Sequence, residues 1–154
     1  RVFSFIKKNC SKKIPKKNEL NKQDNKLLNN LKDNVPNLIN LINNQNLNEY
    51  IKTVVSYSFE ANKYFNDSEP WKVKKNDLKK MQTILFTVVN QIKNISLLLS
   101  PIIPLSSNKI LNVLNFDPKD MILANIKNKN CFNHNKTLGK TKILFNKIET
   151  NNDN

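Results

Sequence analysis

The 154-residue sequence contains one glycine, one histidine, one tryptophan and two cysteines, and only one of its 26 basic residues, Arg1, is an arginine. A single glycine excludes the Gly-rich loops that cradle phosphates in P-loop and dinucleotide-binding folds. A single histidine, His134, leaves no paired-histidine metal site, and the 12 acidic residues are scattered without placing two carboxylates together in an apolar setting. Cys131 and His134 in the string CFNH have a metal-like spacing, but zinc needs three or four ligands and no second pair is present, so both read as bystanders. Cys10 and Cys131 are too few for a disulfide framework and fit a reducing compartment. Long hydrophobic runs are missing as well. The most apolar stretch, ISLLLSPIIPL, is too short to span a bilayer and is interrupted by Pro101 and Pro104, so no membrane partner is expected. The sequence opens with no secretory pattern and does not start with Met, which leads us to expect a fragment of a longer protein.

Charge and periodicity are what the sequence does have. The net charge of +14 makes the surface attractive to polyanions, and nucleic acid and an anionic membrane face both qualify. An apolar content of 38% beside so much asparagine and lysine would suggest disorder if the apolar residues were scattered. They recur instead at helical spacing. Val2, Phe5, Ile6 and Cys10 read as the end of a helix. Residues 20–43 carry Leu27, Leu28, Leu31, Val35, Leu38, Ile39 and Ile42 in a stripe interrupted by Pro36, which predicts two helices or one kinked helix. In a third region Ile51, Val54, Val55, Ser58, Phe59 and Asn62 share a face, and its helix should stop near Asp67, because the residue before Pro70 is pushed out of helical geometry. The strongest pattern covers residues 77–99, from Met81 to Leu99, with Asn76 or Asp77 as cap. A shorter helix covers residues 104–114. After Phe116 the pattern weakens into loops and short extended pieces, with a turn at Gly139. The expected fold is all-α, a bundle of about four to five helices over residues 1–116, followed by an irregular C-terminal segment, 117–154, with a disordered tip.

The stretch ANKYFNDSEPWKVKK concentrates the unusual chemistry. Trp71 directly follows Pro70 between two long helical regions, with Lys72, Lys74 and Lys75 just beyond. An aromatic plane beside ammonium groups suits an unstacked nucleic-acid base, since stacking is worth roughly 1–3 kcal/mol per base. The other reading makes Trp71 a plug at the end of the bundle, its indole N–H on a carbonyl. Asn62 likewise reads either as a hydrogen-bonded polar group in the core or as a group presented to a ligand.

This block, with RVFSFIKKNCSKKIP before it and NISLLLSPIIPLSSNKILNVL and LGKTKILFNKIE after it, resembles the C-terminal anticodon-binding domain of bacterial-type methionyl-tRNA synthetase. The blocks stand in that family's order and span nearly the whole chain. The resemblance implies a helical bundle that follows a Rossmann-type catalytic domain, in which the tryptophan of the PW pair stacks on the anticodon. Trp71 is the matching position, with Pro70 shaping its turn. The arginine of the family's N-x-x-x-R pattern matches Arg1, whose asparagine partner would lie four residues earlier. Asn62, Lys72, Lys74 and Lys75 are candidates for support or phosphate contacts. The family's HIGH-like and KMSKS-like ATP-binding signatures and its zinc-bearing insertion are missing. The chain alone is therefore expected to lack cofactors and to be inactive, with ATP and Mg belonging to the complete enzyme. The implied partners are the anticodon arm of tRNA(Met) and the catalytic domain of the same polypeptide, against which segment 117–154 would pack. The implied location is the cytoplasm or an organelle of bacterial descent. Two alternatives stand beside this reading: the anticodon domain of another class I synthetase, and a basic helical adaptor without RNA selectivity.

Overall fold

Prolines and polar caps divide the chain into helices. The computed structural model describes residues 1–117, 119, 122–128, 132, 136–141 and 144. Among these are seven α-helices: α1 (Val2–Asn9), α2 (Lys22–Asp33), α3 (Val35–Asn43), α4 (Leu47–Asp67), α5 (Pro70–Val73), α6 (Leu78–Leu99) and α7 (Pro104–Val113), followed by a 3₁₀ turn, Leu123–Ile126. The all-α bundle expected from periodicity is what forms. Two helices, not one kinked helix, occupy residues 20–43. Asn34 closes α2 and Pro36 falls in the first turn of α3, where its missing N–H leaves no intrahelical bond unmade.

Each long helix starts on a side chain that satisfies its free N–H groups. The Asn21 Oδ1 accepts from the N–H of Gln23 at 2.7 Å and of Asp24 at 3.0 Å, while the Asp24 carboxylate accepts from the N–H of Asn21 at 2.9 Å. This reciprocal pair forms a capping box, and loss of such a cap costs about 1 kcal/mol. The cap of α6 is Asp77, whose carboxylate accepts from the N–H of Lys80 at 2.8 Å.

The centre of the bundle is α6. It is buried nearly all round and packs against α1, α2, α4, α5, α7 and the 3₁₀ turn. One core cluster joins Ile6 and Ile14 to Phe65, Leu85, Phe86, Val89 and Leu114, and a second joins Leu31, Leu38, Tyr50 and Val54 to Leu97, Leu98 and Leu111. The described residues beyond Phe116 add to both. Ile126 sits in the second cluster, and Phe132 and Leu138 in the first. Lys93, with no exposed surface, reaches from α6 to donate to the carbonyls of Asn125 and Asn128, both at 2.7 Å, and so ties the 3₁₀ turn to the bundle. Further on, Lys13 and Thr137 form an antiparallel bridge, and the Gly139 N–H donates to the carbonyl of Val113 at 3.0 Å. A Cβ on Gly139 would meet the Val113 Cα at 3.3 Å, a tight approach that a larger residue would have to relieve by a small shift of the backbone.

Candidate nucleic-acid interface

The turn that carries Trp71 is built from α4 outward. α4 ends at Asp67, and Glu69 turns into the left-handed region at φ 42° and ψ 55° before Pro70 opens the short α5. A non-glycine residue there costs roughly 1–2 kcal/mol. Partial compensation comes from the Glu69 carbonyl, which accepts from the N–H of Lys72 at 2.8 Å and of Val73 at 3.1 Å. Pro70 is buried, anchoring the turn, so the next side chain emerges at the end of the bundle.

Trp71 is half-buried and packs edge-on to Phe65, with centroids 5.9 Å apart and planes at 68°. Phe65 in turn meets Phe5 at 6.3 Å and 84°. The indole N–H makes no hydrogen bond among the described residues, in contrast to a core plug tied to a carbonyl. Arg1 completes the group, its guanidinium carbon lying 5.3 Å from the centroids of both the Phe65 and Trp71 rings. Cation–π contact of this kind contributes about 0.5–1 kcal/mol at an exposed site. It holds the planar fork beside the indole although Arg1 itself is exposed.

Beside this group lies a mainly apolar cleft of about 220 Å³, whose walls include Arg1, Asn62, Phe65, Val88, Ile92 and Ile110. Asn62 is exposed, so its reading as a core polar group is wrong. The buried face of α4 is Tyr50, Val54, Tyr57, Ala61 and Phe65, and Asn62 stands about 100° round the helix from Ala61. The expected stripe placed Phe59 inside, whereas α4 buries two tyrosines and leaves Phe59 69% exposed. The structure thus brings Arg1, Asn62, Pro70 and Trp71 to one end of the bundle.

The three lysines differ in what they hold. Lys72 pairs with Glu69 at 2.7 Å on the surface. Lys74 donates to the Asn9 Oδ1 at 3.1 Å and lies 5.9 Å from the Phe5 centroid, tying the turn to α1. Lys75 is exposed and has no ion pair among the described residues. Phe5 and Phe65, which seat Arg1 and Trp71, were missed as site residues by sequence reasoning. The available signal was Phe65's spacing of four from Ala61 on the buried face of α4.

Two neighbouring groups titrate away from their usual ranges. Burial, then the hydrogen bond and charge of Asp24, push the Tyr64 phenol well above the ordinary tyrosine value. Burial also pushes the Cys10 thiol up. Cys131 and His134 lie outside the described residues, among which no three His, Cys, Asp or Glu side chains gather as metal ligands.

Residues 14–154 match the family of anticodon binding domains of methionyl tRNA ligase. A methionine–tRNA ligase of Methanosphaera stadtmanae is 35% identical over 116 residues, covering 75% of this chain and 17% of that protein. One from Bacteroides fragilis is 28% identical over 149 residues, covering 97% of this chain and 22% of that protein. The chain thus spans about a fifth of the length of these relatives. The crystal structure of the apo form of Mycobacterium tuberculosis methionyl-tRNA synthetase superposes with a TM-score of 0.89 at 21% identity, over 97% of this chain and 31% of that one. A complex of that enzyme with methionyl-adenylate gives a TM-score of 0.86 at 22% identity, over 95% of this chain and 29% of that one. At such identities the likeness speaks for the fold, and the match along residues 14–154 speaks for the family: the chain belongs to the anticodon-binding domains of methionyl-tRNA ligase.

Proposed function

We propose that this chain reads the anticodon of tRNA(Met) on behalf of a methionine–tRNA ligase. The observation that carries the reading is the placement of the Arg1 guanidinium against Trp71, at the edge of a cleft that Asn62 also lines. A base laid on the indole would present its edge to the donors of Arg1, and the Asn62 amide offers a donor and an acceptor at the same opening. Lysine cannot replace the planar fork of arginine in that role. Pro70 sets the direction of Trp71, and the lysine-rich surface gathers the phosphate backbone by releasing its counterions. Lys75 is the freest of the three lysines near the turn to do so. Lys72 can exchange Glu69 for a phosphate, because an exposed pair is worth at most about 1 kcal/mol. Lys74 supports the turn through Asn9.

Attachment of methionine, with its ATP and Mg, belongs in this reading to a catalytic domain of the same polypeptide outside this chain. One glycine leaves no loop for nucleotide phosphates, and the chain alone is inactive. Segment 117–154 is the part we assign to contact with that catalytic domain. No helix among the described residues is long and apolar enough to cross a membrane. A part in charging tRNA(Met) places the protein where translation runs, in the cytoplasm or in an organelle of bacterial descent.

Trp71→Ala tests the reading. Binding of the chain to an anticodon stem-loop of tRNA(Met) should weaken by about tenfold or more, with the helical circular dichroism unchanged. In the complete ligase the methionine-dependent exchange of ATP should persist. Unchanged binding and charging would sink the stacking role.

A further inference from the structure

Acidic residues are unevenly spread along the chain. The 12 of them leave three long runs with none, residues 1–18, 78–116 and 121–148. The fold brings parts of all three runs together around a second cleft, of about 480 Å³. One wall is α1, with Phe3 and Ser4, and another is α7, with Lys109 and Asn112. The third carries Lys140 and Thr141. That last segment is pinned to the end of α7: the Gly139 N–H donates to the Val113 carbonyl at 3.0 Å, and the Asn115 amide donates to the Thr137 carbonyl at 2.8 Å. Lys109 and Lys140 are both exposed and make no ion pair among the described residues. Lys7 reaches the rim, its ammonium donating to the Thr141 Oγ1 at 3.4 Å. No carboxylate lines this cleft among the described residues, and the surface ion pairs found there use Glu49, Asp67, Glu69 and Asp117, all elsewhere. Arg1 lines both this cleft and the smaller one that Asn62 lines, as does Ile110, so the two adjoin at the guanidinium.

Cations without a carboxylate, set among the hydroxyls of Ser4 and Thr141 and the amide of Asn112, are complementary to phosphate oxygens, which accept hydrogen bonds from every one of these groups. We propose that this cleft holds the sugar–phosphate backbone of the single-stranded nucleotides that adjoin the base read at Arg1, with Lys109 and Lys140 each on one phosphate. The proposal rests on the anticodon reading above and deepens it, giving the loop a path from Arg1 between α1 and α7. Such contacts fix the register of the RNA and carry no sequence information of their own. An acidic protein segment would match the charge equally. The shared Arg1 favours RNA, because a strand whose base lies at the smaller cleft carries its own phosphates into the larger one. Contact with the catalytic domain then falls to the part of segment 117–154 outside residues 139–141.

The test compares two double variants in binding the tRNA(Met) anticodon stem-loop over a range of salt. Lys109→Gln with Lys140→Gln empties the cleft of two charges, and Lys22→Gln with Lys26→Gln removes the same charge from α2, outside it. All four lysines are exposed, so the helical circular dichroism should not change. The cleft variant should lower the salt slope by about 1.4, about 0.7 for each phosphate released, and weaken binding about twentyfold at about 0.1 M salt. The α2 variant should do much less. In a second arm, neutral methylphosphonate linkages are placed one at a time around the loop. They should weaken the parent at two neighbouring positions and cost the cleft variant little there, while both keep their preference for the methionine triplet. The proposal is overturned if the two variants lose the same slope, since the charge then acts as a diffuse field, or if the linkage pattern of the cleft variant matches the parent's. It is overturned too if stem-loop binding is unchanged while the complete ligase melts lower, as a cleft filled by an acidic segment of the catalytic domain requires. If the triplet preference is absent while the linkage pattern is as expected, the base reading fails and the cleft stands. A chain that does not bind the stem-loop at all defeats both.

Discussion

Arg1 owes its position to two rings rather than to an ion pair. Its guanidinium sits 5.3 Å from the centroids of Phe65 and Trp71, and each ring can take the contact because each meets its neighbour edge-on. Replacing it by lysine keeps the charge and loses the fork. Arg1→Lys should therefore weaken binding of the tRNA(Met) stem-loop by about tenfold, about 1.4 kcal/mol, with little change in salt dependence. A fluorescence titration at two salt concentrations checks both parts. Trp71 was legible as a candidate because it is the only tryptophan, follows a proline and precedes lysines. The exposure of Asn62 was not, because one apolar stripe on α4 could be drawn through Phe59 or through Tyr57, and only packing against α6 decides between them. Hydropathy ranks phenylalanine inside and tyrosine at the margin. Here Tyr50 is buried with its hydroxyl donating to the carbonyl of Leu98 at 2.6 Å, so its polar atom costs little.

Between elements, polar groups determine how α2 and α4 meet. The Asp24 carboxylate serves the start of α2 and also accepts from the Tyr64 hydroxyl of α4, while Asp24 itself is 1% exposed. Tyr64→Phe leaves that carboxylate short of a partner and should cost about 1–3 kcal/mol in urea unfolding. The pH dependence follows from the raised phenol. Above the unfolded tyrosine value near 10, the folded state binds more protons than the unfolded one, so stability must fall as pH rises. Thermal melts from pH 9 upward should show the parent losing stability and Tyr64→Phe losing less of it. Tyr50 and Tyr57, also pushed up by burial, supply the remainder. Element ends were readable where proline marked them, at Pro36, Pro70 and Pro104. The left-handed Glu69 was not, since no glycine or asparagine advertised it and the strain is held by the packing of Pro70. Lys93 was equally hidden within an apolar helix. Lys93→Met should remove both hydrogen bonds that tie the 3₁₀ turn to α6 and destabilise the chain by about 1–3 kcal/mol. Faster hydrogen exchange should appear in the 3₁₀ turn before it appears in α6.

The whole molecule combines a helical bundle with a net charge of +14, and the two properties act separately. The fold class could be read from helical spacing over α2, α4 and α6 because an apolar face must be buried somewhere. The course of the chain after Phe116 could not, because Ile126, Phe132 and Leu138 reach the core one at a time, without a period. Charge supplies attraction that any RNA feels, and its share should fall by roughly 0.7 in log affinity per tenfold of salt for each single-stranded phosphate contacted. In the proposed function, selectivity is the work of the Arg1, Asn62 and Trp71 end of the bundle. The most direct measurement is therefore the affinity of this chain for two stem-loops of identical stem and length, one with the tRNA(Met) anticodon and one with that triplet replaced, at physiological salt. A reader of the anticodon binds the first at least about tenfold more tightly, and Trp71→Ala erases the difference. Equal affinity for the two loops, in parent and variant alike, would leave only a basic surface and contradict the account.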